Sequence, residues 1–268
     1  MIAVSLLGVP NDDNSSFMKG AAAAPALIRA ALHADAYSIH SETGVDLGEA
    51  GRLIDHGDID FESAGDPWDE IERCVDAALD GRGPLICLGG DHAVTHPILR
   101  AVRRRHPRLT ILHIDAHCDL YDAYQGNPRS HASPFARIME EDLADRLIQV
   151  GIRTLNPHHQ DQIRRFGVEL VEAGHLRSGV TLELSTPVYV SLDIDALDPA
   201  FAPGVSHREP GGLSTRQVID LLHAIDQPII GADIVEFNPR CDISNQTALV
   251  AAKLLKEIAG MMVRTNTP

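Results

Sequence analysis

The stretch Leu109-Thr-Ile-Leu-His-Ile-Asp-Ala-His-Cys-Asp119 decides how the rest of the chain is read. It opens as a short apolar run and closes as Asp115-x-His117-x-Asp119. A strand turns alternate residues to the same face. An extended reading therefore delivers two carboxylates and an imidazole to one side of a strand end, within about 14 Å of chain. Carboxylates that close repel one another, and burying them unpaired costs several kcal/mol each. A bound divalent cation is the simplest compensation.

Two further runs end the same way. Val188-Tyr-Val-Ser-Leu-Asp193-Ile-Asp195 closes in Asp-x-Asp, with Asp198-Pro199 just beyond. Pro84-Leu-Ile-Cys-Leu-Gly-Gly-Asp91-His92 closes in a double glycine and Asp-His. Each motif alone is weak; three at the ends of strand-like runs form a pattern. The candidate ligands are His92, Asp115, His117, Asp119, Asp193 and Asp195, while Asp91 and Asp198 read as turn or supporting residues. Four carboxylates and two imidazoles exceed what one tetrahedral zinc takes. They suit two ions of higher coordination number that share carboxylates. Oxygen donors with some imidazole favour Mn²⁺, with Fe, Co or Ni as alternatives. Two such ions lower the pKa of a shared water towards neutrality. Hydrolysis is the expected chemistry, since the sequence carries no motif for an electron-carrying cofactor.

Composition narrows the class. The 268 residues carry 38 acidic against 23 basic side chains, a net charge of −15, which argues against a nucleic-acid surface. Arg103-Arg-Arg105 reads as the exposed end of a helix. Aromatics are only 4 %, so Ala, Leu, Ile and Val must fill the core. No run is long enough to span a membrane. Cysteines 74, 87, 118 and 241 form no Cys-x-x-Cys pair, and reduced thiols in a cytoplasmic protein are expected. Ile2–Pro10 lacks a basic leader and reads as a first strand.

Between the motif strands the pattern changes period. Helices are expected from Pro25 to Leu32, from the Asp66-Pro67 cap to about Asp80, and over about 97–105, 134–144, 158–166, 215–225 and 245–263. Strands are expected at 53–58, 84–88, 109–115, 147–152, 168–171, 187–195 and 229–237, besides the first. Such alternation is the signature of a mostly parallel sheet of roughly eight strands, covered on both faces. No repeat or linker divides residues 1–268, so one domain is expected, an α/β three-layer αβα sandwich. Ligands of such open sheets sit outside the carboxyl ends of the strands, where all three motifs fall.

Gly-Gly-Asp-His92, Asp115-Ala-His-x-Asp119 and Ser191-x-Asp-x-Asp195-x-x-Asp-Pro199 resemble the motifs of the ureohydrolases, the arginases and agmatinases among them. Asn14-Ser-Ser-Phe17, Tyr121-Asp-Ala123, Ser130-His-Ala-Ser133, Glu209-Pro-Gly-Gly212 and Ala232-Asp-Ile-Val-Glu-Phe-Asn-Pro239 look most like the plant-type arginase branch. The resemblance implies two Mn²⁺ ions, urea as a product and a homo-oligomer, trimer or hexamer. It also places His131 as a proton shuttle, Glu236 as the carboxylate that holds a guanidinium, and Asp119 as the group that passes a proton to the departing amine. Asn127 and Ser130 are the candidates for the far end of the substrate. Arginine, giving ornithine, ranks first, then agmatine, then other guanidino compounds. Gly151-Ile-Arg-Thr-Leu-Asn-Pro-His-His159 has no acidic residue where animal-type arginases carry them, and this leaves the tail open. Cys118 stands where a threonine or proline is usual, either as a packed thiol or as an oxidation-sensitive one. His158, His159 and His113 read as structural or solvated. A metal-stabilised partner subunit without catalysis, a dinuclear phosphoesterase and a zinc deacetylase are the competing readings. The complete ligand set, the lack of phosphate-clamping cations and the surplus of ligands argue against them in turn.

Overall fold

Eight strands form one sheet in the computed structural model, which describes every residue except Met1, Ala36, Ser63, Arg82, 177–181 and Pro268. They are β1 (Val4–Val9), β2 (Leu53–Asp58), β3 (Leu85–Gly89), β4 (Thr110–Ile114), β5 (Arg146–Ile152), β6 (Glu169–Glu172), β7 (Val188–Asp193) and β8 (Ile229–Val235). Their spatial order is β2-β1-β3-β8-β7-β4-β5-β6, and every pairing is parallel. The sheet is thus wholly, not mostly, parallel. Among the described residues seven α-helices cover it: α1 (Ala24–Leu32), α2 (Pro67–Leu79), α3 (Thr95–Arg105), α4 (Pro134–Glu140), α5 (Pro157–Phe166), α6 (Thr215–His223) and α7 (Gln246–Thr265).

Strand alternation sorts the core into two layers. Val4, Leu6, Ile86, Leu88, Leu112, Ile114, Val188 and Val190 pack with α1, α6 and α7. Their neighbours Leu7, Leu85, Cys87, Ile111 and Tyr189 pack with α2, α3 and α4 on the other face. Buried on both sides, the central strands read as the near-continuous apolar runs that marked them. β2 is an edge and reads differently: Asp55 and Asp58 both pair with Arg29, and charge on this edge discourages pairing with another sheet. Asp66 caps α2 by accepting from Trp68 N at 2.9 Å, as its sequence predicts.

Several expected boundaries move. α4 stops at Glu140 rather than near 144, because Asp142 turns left-handed at φ 52°. β4 ends at Ile114, before any candidate ligand. β7 ends at Asp193, whose side chain caps a 3₁₀ turn over Ile194–Ala196. β8 ends at Val235, so Glu236 stands beyond the strand at φ 63°.

The double glycine has a packing reason. A Cβ on Gly90 would lie 1.9 Å from the Asn11 carbonyl oxygen. Gly90 N–H donates to Val9 O at 3.0 Å, and its carbonyl accepts from Glu236 N at 2.9 Å. It thereby ties the ends of β1 and β8 together. Gly90→Ala is expected to destabilise the fold by roughly 1–3 kcal/mol, as overpacking does, and to lower metal retention with it. Denaturant unfolding with metal analysis of the folded fraction checks both.

Candidate metal centre and cavity

The four contiguous central strands β3, β8, β7 and β4 all present chemistry at their carboxyl ends. His92 follows β3, Glu236 follows β8, Asp193 and Asp195 end β7, and Asp115–Asp119 leave β4. The six candidate ligands come together. Nδ1 of His92 faces Asp119 Oδ2 at 3.0 Å and Asp115 Oδ2 and Asp193 Oδ2 at 3.2 Å each. Nδ1 of His117 faces Asp195 Oδ2 at 3.1 Å and Asp115 Oδ1 at 3.5 Å. Asp115 thus turns one oxygen towards each imidazole.

Extended alternation does not produce this convergence. Beyond Ile114 the chain leaves the sheet, with Asp119 held left-handed at φ 49°, a conformation that non-glycine residues adopt at a cost. Asp115 Oδ1 accepts His117 N at 2.7 Å, and Asp193 Oδ1 accepts Asp195 N at 2.7 Å. Two tight turns, not two strand ends, aim the carboxylates.

The donor set tests whether cations fit. Asp233 accepts hydrogen bonds from Ser191 Oγ at 2.7 Å, Tyr189 OH at 2.7 Å and Thr95 Oγ1 at 3.0 Å. Burial raises the Asp233 pKa, and these donors hold its charged form against that. With the Ser191 proton given to Asp233, Ser191 Oγ must accept from His92 Nε2 at 3.0 Å. Nδ1 of His92, without a hydrogen-bond partner, then faces three carboxylate oxygens, which raise the pKa of the ring against its burial. Burial, Asp195 and Asp115 push the Asp193 carboxyl well above its usual range. Burial disfavours charge on His117, yet Asp195 and Asp115 drive its pKa up to about 12. Among the described residues no Lys or Arg pairs with any of these four aspartates. Carboxylates and imidazoles converging with no Lys or Arg beside them are what divalent cations satisfy, so the residues fit them.

A row of polar side chains crosses the sheet one level below the centre. Gln149, His113, Ser191 and Asp233 are register partners on β5, β4, β7 and β8. Gln149 Nε2 donates to Cys118 O at 2.7 Å and to His113 Nδ1 at 3.0 Å. His113 therefore carries its proton on Nε2 and donates it to Asp115 Oδ2 at 2.6 Å. Such partners fix the orientation and charge of ligating groups. Cys118 is fully buried, and burial raises its thiol pKa, which supports the packed reading over a reactive one.

A cavity of about 210 Å³ opens over the centre, lined by Asp119, His131 and Glu236 among others. Glu236 Oε1 accepts His92 N at 2.9 Å and His131 Nδ1 at 2.8 Å, while Oε2 makes no hydrogen bond among the described residues. His131 Nε2 lies 2.8 Å from Ser16 Oγ. Burial opposes its charged form, but Glu236 raises its pKa to about 9. Asp91 accepts from Asn14 N, Ser15 Oγ and Ala93 N, and Asp198 from Ala200, Gly211 and Gly212. Both are turn residues.

Asn127 and Ser130 do not line this cavity. The loop folds back at Gln125 and Gly126, at φ 53° and 80°. Asn127 then binds Asn14 Oδ1 and Arg129 N, and Ser130 Oγ accepts Ala132 N. They build the loop that carries His131. Tyr121, Tyr124, Asn156 and His159 form the wall instead. Of these only Tyr121 lay in a recognised motif; the acid-free loop 151–159 was the signal for Asn156 and His159, and nothing singled out Tyr124.

A parallel αβα sheet with such a centre at its carboxyl edge defines a class, the metal-dependent hydrolases of α/β architecture. The family model described as "Arginase family" matches residues 2–260. The mitochondrial arginase 1 of Arabidopsis thaliana is 43 % identical, covering 96 % of this chain and 80 % of its own. The agmatinase of Bacillus cereus is 33 % identical, covering 95 % and 90 %. The solved arginase from Medicago truncatula superposes with a TM-score of 0.92 at 41 % identity, covering 97 % of this chain and 87 % of that one. This chain belongs to the arginase family, hydrolases acting on a guanidino C–N bond.

Because Asp115 addresses both imidazoles, Asp115→Asn is expected to cost more bound metal per chain than Asp195→Asn. Metal analysis after gel filtration measures the difference. Chelation is expected to lower Tm, since a ligand held at a thousandfold excess over its Kd adds roughly 4 kcal/mol to the folded state.

Proposed function

We propose that the chain hydrolyses arginine to ornithine and urea with two Mn²⁺ ions bound by His92, Asp115, His117, Asp119, Asp193 and Asp195. The observation that carries this is Asp115, one carboxylate spanning two imidazole-centred clusters beside a free Glu236 oxygen. The oxygen-rich donor set favours Mn²⁺ over softer metals. Bound there, the ions supply Lewis acidity that activates water near neutral pH.

The chain's own residues bind and steer. Glu236 Oε2 takes the paired N–H donors of a guanidinium by charge-assisted hydrogen bonds. His92 N–H and His131 hold the other oxygen, so the carboxylate cannot rotate away. Asp119 stands both against His92 and in the cavity wall, and from there passes a proton to the departing amine. His131, between Ser16 and Glu236, relays protons between that wall and solvent.

Agmatine is the second substrate considered, on the likeness to agmatinases. A homo-oligomer, trimer or hexamer, remains part of this proposal on the family resemblance, and light scattering measures it. Four free cysteines, two of them buried, support a reducing compartment such as the cytoplasm. Among the described residues no helix is long and apolar enough to cross a membrane.

Urea release from arginine, agmatine, 4-guanidinobutyrate and free guanidine by the Mn²⁺-loaded protein tests the reading. Arginine is expected to be fastest, and Asp119→Asn to lower kcat by about a hundredfold or more, the scale on which loss of general acid–base catalysis acts. Metal-loaded protein that releases no urea from any of the four would end the proposal.

A further inference from the structure

Beyond the metal centre and Glu236, the cavity has an outer wall built from the loop after β4 and the start of α5. His159 stands in that wall at 4 % exposure, and neither of its ring nitrogens has a hydrogen-bond partner. A buried donor or acceptor left unpaired costs about 1–3 kcal/mol, so such a group calls for an explanation. Burial lowers the His159 pKa and outweighs the opposing pull of Asp119 and the Thr154 carbonyl, so the neutral ring is favoured.

The neighbours are committed elsewhere. Asn156 Nδ2 donates to Tyr121 OH at 2.7 Å, and its Oδ1 accepts the backbone N–H of His159 at 2.9 Å. Thr154 Oγ1 donates to Ala116 O at 3.0 Å. The His159 ring packs edge-on to Tyr121 with centroids 4.6 Å apart, so its orientation is set before any ligand arrives. Having accepted from Asn156, the Tyr121 hydroxyl still has its own proton to give. The Tyr124 hydroxyl, also in the wall, makes no hydrogen bond among the described residues.

Charge separates the two ends of the cavity. Its carboxylates are Asp119, Asp193 and Asp195 of the centre and Glu236 beside it; the outer wall has none. A cationic substrate tail would meet no counter-charge there. An anionic tail would meet an imidazole and two phenols, each with a proton to donate. Hydrogen bonds to a charged acceptor are about twice as strong as neutral ones.

We propose that His159, with Tyr121 and Tyr124, reads a carboxylate at the far end of the substrate. The preferred substrates are then guanidino carboxylic acids, arginine included, over guanidino amines such as agmatine. This deepens the functional reading above and rests on it. His159 is a specificity residue in this account, and it takes no part in bond breaking.

Calorimetric titration of the Mn²⁺-loaded protein with 4-guanidinobutyrate and with agmatine tests the proposal, since the two differ in their end group. The wild type is expected to bind the carboxylate at least about tenfold more tightly, the scale of one hydrogen bond to a charged group. His159→Phe should lose most of that preference, and His159→Gln, which keeps a donor, should recover part of it. Should the phenylalanine variant melt early, Tyr124→Phe carries the test by removing one hydroxyl. Urea release from the same samples separates the two readings. A binding preference without urea from either compound leaves the carboxylate wall standing and overturns hydrolysis. Urea release with equal affinity for the two end groups, or a preference that His159→Phe leaves intact, overturns the wall alone. No binding of either ligand overturns both.

Discussion

Repulsion among buried carboxylates is the constraint on which the site depends. Four aspartates meet within a few ångströms of two imidazoles, with no Lys or Arg paired to them among the described residues. Burial sharpens it, since Asp115 and His92 are fully buried and Asp193 nearly so. A divalent cation is the counterpart that this arrangement fits. The sheet tolerates the arrangement because apolar layers on both faces hold its central strands in register.

The polar row beneath the centre serves the same end. Asp233 and Ser191 fix the tautomer of His92, and Gln149 fixes that of His113. Each is a register partner of the next, so parallel pairing itself aligns the hydrogen bonds. Orientation of the ligands is thus set by strand register, a property of the whole sheet, and not by side-chain flexibility.

All six metal-facing residues were legible because they end apolar runs, and a run of that kind points to a strand whichever way its tip turns. The means of their convergence was not legible. Asp119 and Glu236 sit at left-handed backbone angles that the alternation of a strand does not anticipate. Ser191 and Asp233 lay in quoted motifs without a role, since their partnership depends on β7 lying against β8. His159 read as one more polar residue in the first turn of a helix. Its burial depends on Tyr121, distant in sequence, and no local pattern carries that. The path of the loop that carries Asn127 and Ser130 was not legible either, because a loop's direction hangs on single positive-φ residues.

Strand order bears on how the molecule is made. β7 and β8 are the last strands in the chain, yet they lie in the middle of the sheet, between β3 and β4. A growing chain that has released β1 through β6 cannot yet hold a continuous sheet, because its two halves lack the strands that join them. Asp193, Asp195 and Glu236 arrive only with that joining pair. The nascent protein therefore exposes two open strand edges until late in synthesis, the condition in which aggregation competes with folding. No earlier fragment contains all six converging residues. Insertion of the C-terminal strands and completion of the site are one event.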